Sequence, residues 1–214
     1  MIVGKRMSSP VVTIPASVPL PEAMNLMRQE KIRHLVVVEK SKMVGLITQS
    51  DLEGALPSKA TSLSIWEINY LVDRIKVADV MVKDVITATE DMPVEEAARI
   101  MADNKITCLP VLRGKDVVGI ITETDLFRLF LELFGARQKG VRLSAEVSNE
   151  PGTLAKISEA IFKIGGDIIA IGSFAGDSIS SNEITMKVQG VEEGQLKEAI
   201  QPLVIRLMSI CTMC

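Results

Sequence analysis

Aromatic residues are scarce in this chain, whose 214 residues include one Trp, one Tyr and five Phe. Lys and Arg together number 24 against 27 Asp and Glu, which gives a net charge of −3. Proteins that bind nucleic acid usually carry a basic patch, and those that bind single strands also offer aromatic side chains on which bases stack. The composition therefore argues against a nucleic-acid partner.

Histidine and cysteine are equally rare. His34 is the single histidine, which argues against a histidine-based catalytic triad or a multi-histidine metal site. The three cysteines lack the spacing of a disulfide framework. We interpret the terminal C-x-x-C of Cys211 and Cys214 as two small apolar residues. Because the sequence also lacks a Walker loop and a nucleophile–base pair, we expect no catalytic residues, no metal, no catalytic cofactor and no enzyme activity.

Long apolar segments are missing as well. The longest apolar run, residues 125–135, is interrupted by Arg128 and Glu132 and is too short to cross a bilayer. The first residues lack the apolar core of a signal peptide. We therefore expect a cytoplasmic protein without a membrane partner.

The chain does contain an internal repeat. A shift of 74 positions superimposes one part of the sequence on the next without a gap, which indicates a duplication. The aligned pairs include Met7 with Met81, Thr13 with Thr87, Gly45 with Gly119, Thr48 with Thr122 and Asp51 with Asp125.

Each copy predicts the same elements. A short extended piece precedes a helix whose apolar residues recur at i, i+3, i+4 and i+7, and two strands joined by a short turn follow. A second helix then begins at Thr-x-x-Asp. Because one copy of about 55 residues would be marginal alone, we expect the copies to bury their sheets against each other. Residues 64–76 predict a helix that joins them.

The Thr-x-x-Asp pattern has two interpretations. Thr followed three residues later by an acid is typical of a capping box, in which both side chains bond to the free N–H groups of a helix start. A helix start after a strand also suits phosphate, and a carboxylate can bind both hydroxyls of a ribose. The two interpretations are compatible, since a well-formed helix start would also orient the carboxylate.

These elements, in this order, resemble the cystathionine-β-synthase (CBS) motif, and two in tandem resemble a Bateman module over roughly residues 1–134. The resemblance implies a pair of clefts that bind adenosine nucleotides such as AMP or ATP, and less often NAD or S-adenosylmethionine. Asp51 and Asp125 would hold the ribose, with Thr48 and Thr122 near ribose or phosphate. The implied nucleotide-binding positions are Thr13, Ile32, Arg33, His34, Thr48, Asp51, Thr87, Ile106, Thr107, Cys108, Pro110, Thr122 and Asp125.

The two copies differ at positions that a ligand would contact. Arg33 and His34 align with Thr107 and Cys108, so we expect unequal occupancy of the two clefts. Some members of the family keep the fold with vacant sites, which leaves an interaction module with empty clefts as an alternative.

The pattern changes after residue 134. Residues 135–140 contain two glycines and two cations and are typical of a linker. The remaining residues predict the order βαββαβ, a ferredoxin-like plan with an antiparallel sheet.

The turn at residues 148–154, SNEPGTL, is similar to the entry turn of ACT domains, which often bind amino acids or related metabolites. The resemblance implies an effector site, although an asparagine stands where the family usually has an acid. In the alternative, Asn149 only caps the helix and Pro-Gly shapes the turn. The implied effector residues are Asn149, Pro151, Gly152, Thr153 and Leu154.

The whole chain resembles the acetoin-utilisation protein B family. We therefore expect a mixed α+β and α/β fold with a first CBS repeat (1–60), a connecting helix (61–76), a second CBS repeat (77–134), a linker (135–140) and an ACT domain (141–214). The expected function is a homodimeric sensor that binds an adenosine nucleotide as its regulatory ligand and acts on an unknown enzyme partner. The alternative is a subunit or enzyme of acetoin or short-chain carbon metabolism.

Overall fold

A computed structural model describes residues 1–56, 64–176 and 178–213, without the side chains of Ile65, Ile68, Asn69 and Met213. The expected boundary between the first repeat and the connecting helix, and Cys214, lie outside the described residues. The chain divides into two compact units, Met1–Leu126 and Phe127–Cys214.

The first unit contains the two copies that the repeat predicts. Each copy builds a three-stranded sheet in which the first strand is parallel to the second and the second is antiparallel to the third. The first copy comprises β1 (Thr13–Pro15), α1 (Leu20–Glu30), β2 (His34–Glu39), β3 (Lys42–Thr48) and α2 (Gln49–Gly54). The second comprises β4 (Ala88–Thr89), α5 (Val94–Asn104), β5 (Cys108–Arg113), β6 (Asp116–Thr122) and α6 (Glu123–Leu133). Between them lie α3 (Ile65–Val72) and α4 (Val77–Val80).

The β2–β3 and β5–β6 hairpins form as expected, because residues in their turns adopt the left-handed backbone conformation. Lys40 and Ser41 have φ values of 47° and 65°, and Gly114 has a φ of 64°. The sequence DVITAT predicts an opening strand of the second copy over residues 84–89, and the observed strand is shorter. Only Ala88 and Thr89 pair with β5, so residues 84–87 are not part of the sheet.

The opening segment of each copy packs on the other copy. Val3 N–H donates to the carbonyl oxygen of Met92 at 2.9 Å, and at the equivalent positions Val77 N–H donates to Val18 at 2.9 Å. Val77 is fully buried in the apolar core of the first copy. The duplicated segments have therefore exchanged places, and neither copy completes its own core.

The same exchange continues at the third strand of each sheet. Val82 and Leu46 exchange backbone hydrogen bonds of 2.8 and 2.9 Å, and Ser8 and Ile120 exchange bonds of 2.9 and 3.1 Å. A smaller apolar cluster lies between the two sheets and contains Val36, Leu46, Cys108 and Ile120. The sheets thus bury one face against each other, as the size of a single copy required.

The second unit follows the order βαββαβ. Its four strands form one antiparallel sheet with the order β10-β7-β9-β8. The two helices cover one face of it and close a core around Leu143, Ile157 and Leu196. The elements are β7 (Gly140–Ser148), α7 (Thr153–Lys163), β8 (Asp167–Ala175), β9 (Ser181–Gln189), α8 (Glu193–Ile200) and β10 (Arg206–Met213).

Residues that follow α6 also pack on this sheet. Lys187 is 3% exposed and donates from Nζ to the carbonyl oxygen of Gly135 at 2.9 Å. The ring of Phe134 lies against Gly172 and stacks with Phe174 at 6.2 Å between ring centroids. The last residue of the expected second repeat and the first residue of the expected linker therefore pack on β8 and β9.

None of the helices described is both long and apolar enough to span a membrane. Within the same residues, no three His, Cys, Asp or Glu side chains lie close enough together to hold a metal ion.

The exchange between copies predicts the effect of one small substitution. A Cβ atom on Gly45 would lie 2.7 Å from Met81 Sδ and 2.8 Å from the carbonyl oxygen of Val82. Because that backbone cannot move without breaking its bonds to β3, we expect Gly45→Ala to lower the free energy of unfolding by about 1–3 kcal/mol. Urea denaturation followed by far-ultraviolet circular dichroism measures this change.

Gly54→Ala is the matched control in the same copy. A Cβ atom at Gly54 meets nothing within 4 Å, and alanine is about 0.5–1 kcal/mol more favourable than glycine in a helix. Equal stability of Gly45→Ala and the wild-type chain would contradict the tight packing of the exchanged segments.

Candidate functional site

The start of α2 is a complete capping box. Thr48 N–H and Thr48 Oγ1 both donate to Asp51 Oδ2, at 2.8 and 2.7 Å, and Asp51 N–H donates to Thr48 Oγ1 at 3.2 Å. No described residue donates to Asp51 Oδ1. The carboxylate is therefore fixed by one oxygen, and its other oxygen keeps its capacity to accept from a ligand.

The second copy repeats this geometry at the start of α6. Thr122 N–H and Oγ1 donate to Asp125 Oδ2 at 2.9 and 2.8 Å. Asp125 is 8% exposed, whereas Asp51 is only half-buried. The capping box is thus complete at Asp51, and at Asp125 the carboxylate accepts the Thr122 N–H bond of such a box. The carboxylate of the second copy is the less accessible one.

His34 connects the two copies. Its Nε2 lies 2.8 Å from Thr107 Oγ1, a residue of the second copy. Burial lowers the pKa of His34, the neighbouring Arg33 guanidinium lowers it further, and the Asp51 carboxylate acts in the opposite direction. His34 thus contacts the second copy, and the charges of Arg33 and Asp51, two further predicted nucleotide-binding residues, act on it.

Cys108 lies in the same region but is buried. It is 3% exposed and belongs to the cluster between the sheets. Burial, followed by the charges of Asp51 and Glu123, raises the pKa of Cys108 to about 12. The thiol is therefore protonated at neutral pH and is a packing group in this cluster.

The remaining predicted residues lie around these groups with different accessibility. Thr13 is exposed at the start of β1, whereas Thr87 is half-buried just before β4. Ile32 and Ile106 are half-buried after the first helix of each copy, and Pro110 is buried in β5.

A cavity that the sequence did not indicate lies between α1 and α2. It has a volume of about 330 Å³ and is lined by Ile32 and Arg33, which are predicted site residues. Arg28 and Lys31 also line it and were missed. A register comparison of the two copies would have indicated Arg28, which aligns with Ala102, but not Lys31, which aligns with Lys105.

A second cavity lies in the C-terminal unit. It has a volume of about 450 Å³, and its lining combines the turn before α7 with residues of β8 and β9. All five residues of the predicted effector site line it. They are Asn149, Pro151, Gly152, Thr153 and Leu154.

Asn149 does not cap α7, so that alternative is wrong. The N-cap residue is Gly152, whose φ of 90° suits glycine, and it has no side-chain cap. Asn149 Nδ2 donates to the carbonyl oxygen of Ile179 at 3.2 Å, and Asn182 Nδ2 donates to Asn149 Oδ1 at 2.8 Å. Its side chain is thus fixed by the β8–β9 connection at the edge of the cavity.

Comparison with known families identifies the repeat. The sequence profile of the CBS domain matches residues 3–58 and 77–132, which together form about half of the chain. A homoserine O-acetyltransferase of Methanohalobium evestigatum is 32% identical over 124 residues, or 57% of this chain and 22% of that protein. An inosine-5'-monophosphate dehydrogenase of Thermoplasma acidophilum is 31% identical over 169 residues, or 78% of this chain and 31% of that protein. The chain spans less than a third of the length of these curated relatives.

Two solved structures are similar to the first part of the chain. The CBS domain pair of protein MJ0100, in complex with 5'-methylthioadenosine and S-adenosyl-L-methionine, is 29% identical with a TM-score of 0.52, and the match covers 64% of this chain and 98% of that one. An acetoin utilization protein (AcuB) from Vibrio cholerae is 28% identical with a TM-score of 0.53 and coverages of 64% and 96%.

The environment of His34 predicts its titration. Because burial and Arg33 lower its pKa below the ordinary 6.5, the folded chain favours the neutral imidazole. The unfolded chain binds a proton first as pH falls, so this contribution to stability is complete above pH 6.5 and is lost as pH falls toward the folded pKa. Since the chain has one histidine, one imidazole Cε1 resonance in an NMR titration reports the folded value.

We expect the titration midpoint of the His34 Cε1 resonance to lie below pH 6.5 in the wild-type chain. The midpoint should be higher in Arg33→Thr, because this substitution removes the cation that lowers the pKa of His34. Lys42→Thr removes an exposed cation from the same copy and is the control, with a midpoint like that of the wild-type chain. A wild-type midpoint at or above 6.5 would show that the imidazole is not held in its neutral form.

Proposed function

The chain belongs to the CBS-domain family and contains two CBS domains in tandem, and on that premise we propose that it is a regulatory sensor for adenosine-containing ligands. Asp51 and Asp125 hold the ribose hydroxyls in the two clefts. The other predicted nucleotide-binding residues line these clefts, with the backbone near Ile32 and Ile106 framing the base.

The observation that carries this proposal is the geometry of Asp51. Its capping bonds occupy Oδ2, and no described residue donates to Oδ1. A ribose diol can donate to that oxygen without displacing the helix cap. The similarity to a CBS domain pair that binds 5'-methylthioadenosine and S-adenosyl-L-methionine supports an adenosine ligand.

The C-terminal unit supports a second ligand class. We propose that it is an ACT domain whose cavity of about 450 Å³ takes an amino acid or a related metabolite. The lining offers the Asn149 amide, which the Asn182 contact orients, next to the helix start after Gly152, where a carboxylate is favourable.

The two ligands would be coupled only if each binds two states of the chain with different affinity. We propose such coupling in a cytoplasmic homodimer of the acetoin-utilisation protein B type that regulates an enzyme partner. Turnover of a small substrate by the isolated chain would instead favour an enzyme of short-chain carbon metabolism. Absence of any ligand would favour a structural module with vacant clefts.

Calorimetric titration of AMP, ADP, ATP, 5'-methylthioadenosine and S-adenosylmethionine tests the nucleotide clefts. We expect Asp51→Asn and Asp125→Asn each to weaken binding by roughly ten- to a hundredfold at its own cleft, since a charged hydrogen bond contributes about 1.5–3 kcal/mol. Asparagine can still accept the capping bonds through its amide oxygen, so the helix start is kept.

Asp116→Asn is the control, because it removes an exposed carboxylate from the β5–β6 turn. The sensor proposal would be refuted if Asp51→Asn and Asp125→Asn bound the ligand with the wild-type affinity, or if none of the five compounds bound the wild-type chain.

A separate titration with a panel of amino acids tests the C-terminal cavity. We expect Asn149→Ala to weaken binding of the ligand it detects by about two- to tenfold, as expected for a neutral hydrogen bond. Gln189→Ala removes an exposed amide from the same unit and serves as the control. If Asn149→Ala and the control bind alike, the amide does not contact the ligand.

A further inference from the structure

Two cations lie side by side on the face of the C-terminal sheet that α7 and α8 do not cover. Lys187 in β9 pairs in register with Arg142 in β7. Their sequence neighbours Val141 and Val188 belong to the core beneath the helices, so the two cations are on the opposite face. Like charges directly opposite in an antiparallel pair destabilise a sheet. A negative charge beside this pair is therefore favourable.

No described carboxylate provides that charge. Lys187 is buried, and of its three N–H donors the described residues accept one, through the carbonyl oxygen of Gly135 at 2.9 Å. Arg142 is half-buried, and its Nη1 donates to Ser209 Oγ at 3.3 Å. Among the described residues, neither cation forms a salt bridge. A buried cation without an opposite charge is costly, so the arrangement favours an anionic ligand.

A cavity lies beside both cations, and we call it the sheet-face cavity. Its volume is about 160 Å³, well below the roughly 300–1,000 Å³ of most small-molecule sites, so it suits a ligand of a few non-hydrogen atoms. It shares no residue with the cavity of the predicted effector site. Of the described residues that line it, none is acidic. They are Arg142, Lys187, Thr185, Phe134, Ala136, Ala170 and Met186.

The acidic residues on this face of the sheet are occupied or distant. Asp167 Oδ2 in β8 accepts from Gln189 Nε2 at 3.0 Å. Glu146 in β7 forms an ion pair of 3.4 Å with an arginine of β10. Glu183 in β9 is four residues from Lys187, which is about 13 Å along a strand. None of the three is placed to neutralise the pair.

The end of α6 compensates the pair only in part. Gly135, which accepts from Lys187, follows the C-terminal end of this helix, and such an end carries about half a negative charge. Glu132, in the last turn of α6, lines a separate cavity with Arg128 and Arg137. Most of the positive charge at the sheet-face cavity is therefore available to a ligand.

We propose that the sheet-face cavity binds a small carboxylate with a short apolar chain, such as propionate. The carboxylate accepts charged hydrogen bonds from Lys187 and Arg142. The alkyl chain packs on the apolar part of the lining, which Phe134 and Met186 contribute. Inorganic phosphate has the charge but no apolar part, so it binds more weakly. This site is separate from the nucleotide clefts and from the effector cavity, and it does not depend on either.

An NMR titration of the full chain with propionate, at an ionic strength held constant with sodium chloride, tests the proposal. We expect saturable shifts of the backbone amides of Lys187, Thr185 and Ala170, and no such shifts with uncharged propionamide. Lys187→Met and Arg142→Gln should each weaken propionate binding by about tenfold or more, since each removes a charged hydrogen bond. Lys197→Gln removes an exposed cation from α8 and should leave the affinity within about twofold of the wild-type value.

Circular dichroism melting shows whether each variant is folded. Arg142→Gln keeps the bond between Lys187 and Gly135, so it tests the site even if Lys187→Met does not fold. Propionate should also raise the Tm of the wild-type chain more than an equal concentration of sodium chloride does.

Three results would overturn the proposal. The first is the absence of saturable shifts with propionate, or shifts confined to the turn at Gly152, which would place the ligand in the effector cavity. The second is binding of phosphate as tight as that of propionate. The third is equal propionate affinity of Arg142→Gln and the Lys197→Gln control.

Discussion

The exchange of opening segments between the two copies is the constraint on which the first unit depends. Val77 completes the core of the first copy, and Val3 bonds to the second. The close contact of Gly45 with Met81 fixes the distance between the segment and the sheet. Because each copy lacks one part of its own core, the copies fold together and hold their sheets face to face. Both copies are therefore required to complete the cores of the first unit.

This arrangement also brings predicted nucleotide-binding residues of the two copies into contact. His34 of the first copy bonds to Thr107 of the second, and the Asp51 carboxylate influences the pKa of Cys108 across the same boundary. Any ligand that moves one of these side chains changes the environment of the other copy. Coupling between ligands bound to the two copies, as proposed, would act through these contacts, and its size would depend on the difference in ligand affinity between two states.

Local patterns in the sequence predicted most elements of the fold. The apolar segments KMVGLIT (42–48) and DVVGIIT (116–122), each ending at the Thr of a Thr-x-x-Asp, predict strands over those residues, and β3 and β6 have these bounds. The tandem CBS pair is confirmed by the family match. The domain boundaries, the ACT assignment and the roles of the individual site residues stay predictions.

Features that depend on contacts between residues far apart in the chain could not be predicted from the sequence. An exchanged opening segment has the same apolar pattern as one that packs on its own copy, so the repeat could not reveal the crossing of Val3 and Val77. Asn149 looked like a helix cap because its type and position suit one, but its amide bonds to Asn182 across the sheet instead. The cations around the cavity in the first copy lie on an exposed helix end, where charge is ordinary in any protein.

The Thr-x-x-Asp groups show why capping and ligand binding need not compete. A carboxylate has two oxygens, and in Asp51 the backbone and hydroxyl of Thr48 both use Oδ2. The cap limits the rotation of the side chain, so a ligand that bonds to Oδ1 meets a group whose conformational entropy is already reduced. The helix start therefore prepares the carboxylate for a ligand. The two copies differ in the exposure of this aspartate, since Asp125 is nearly buried while Asp51 is not. The two helix starts therefore differ in the exposure of the carboxylate, although each aspartate accepts the same bond from the N–H of its threonine.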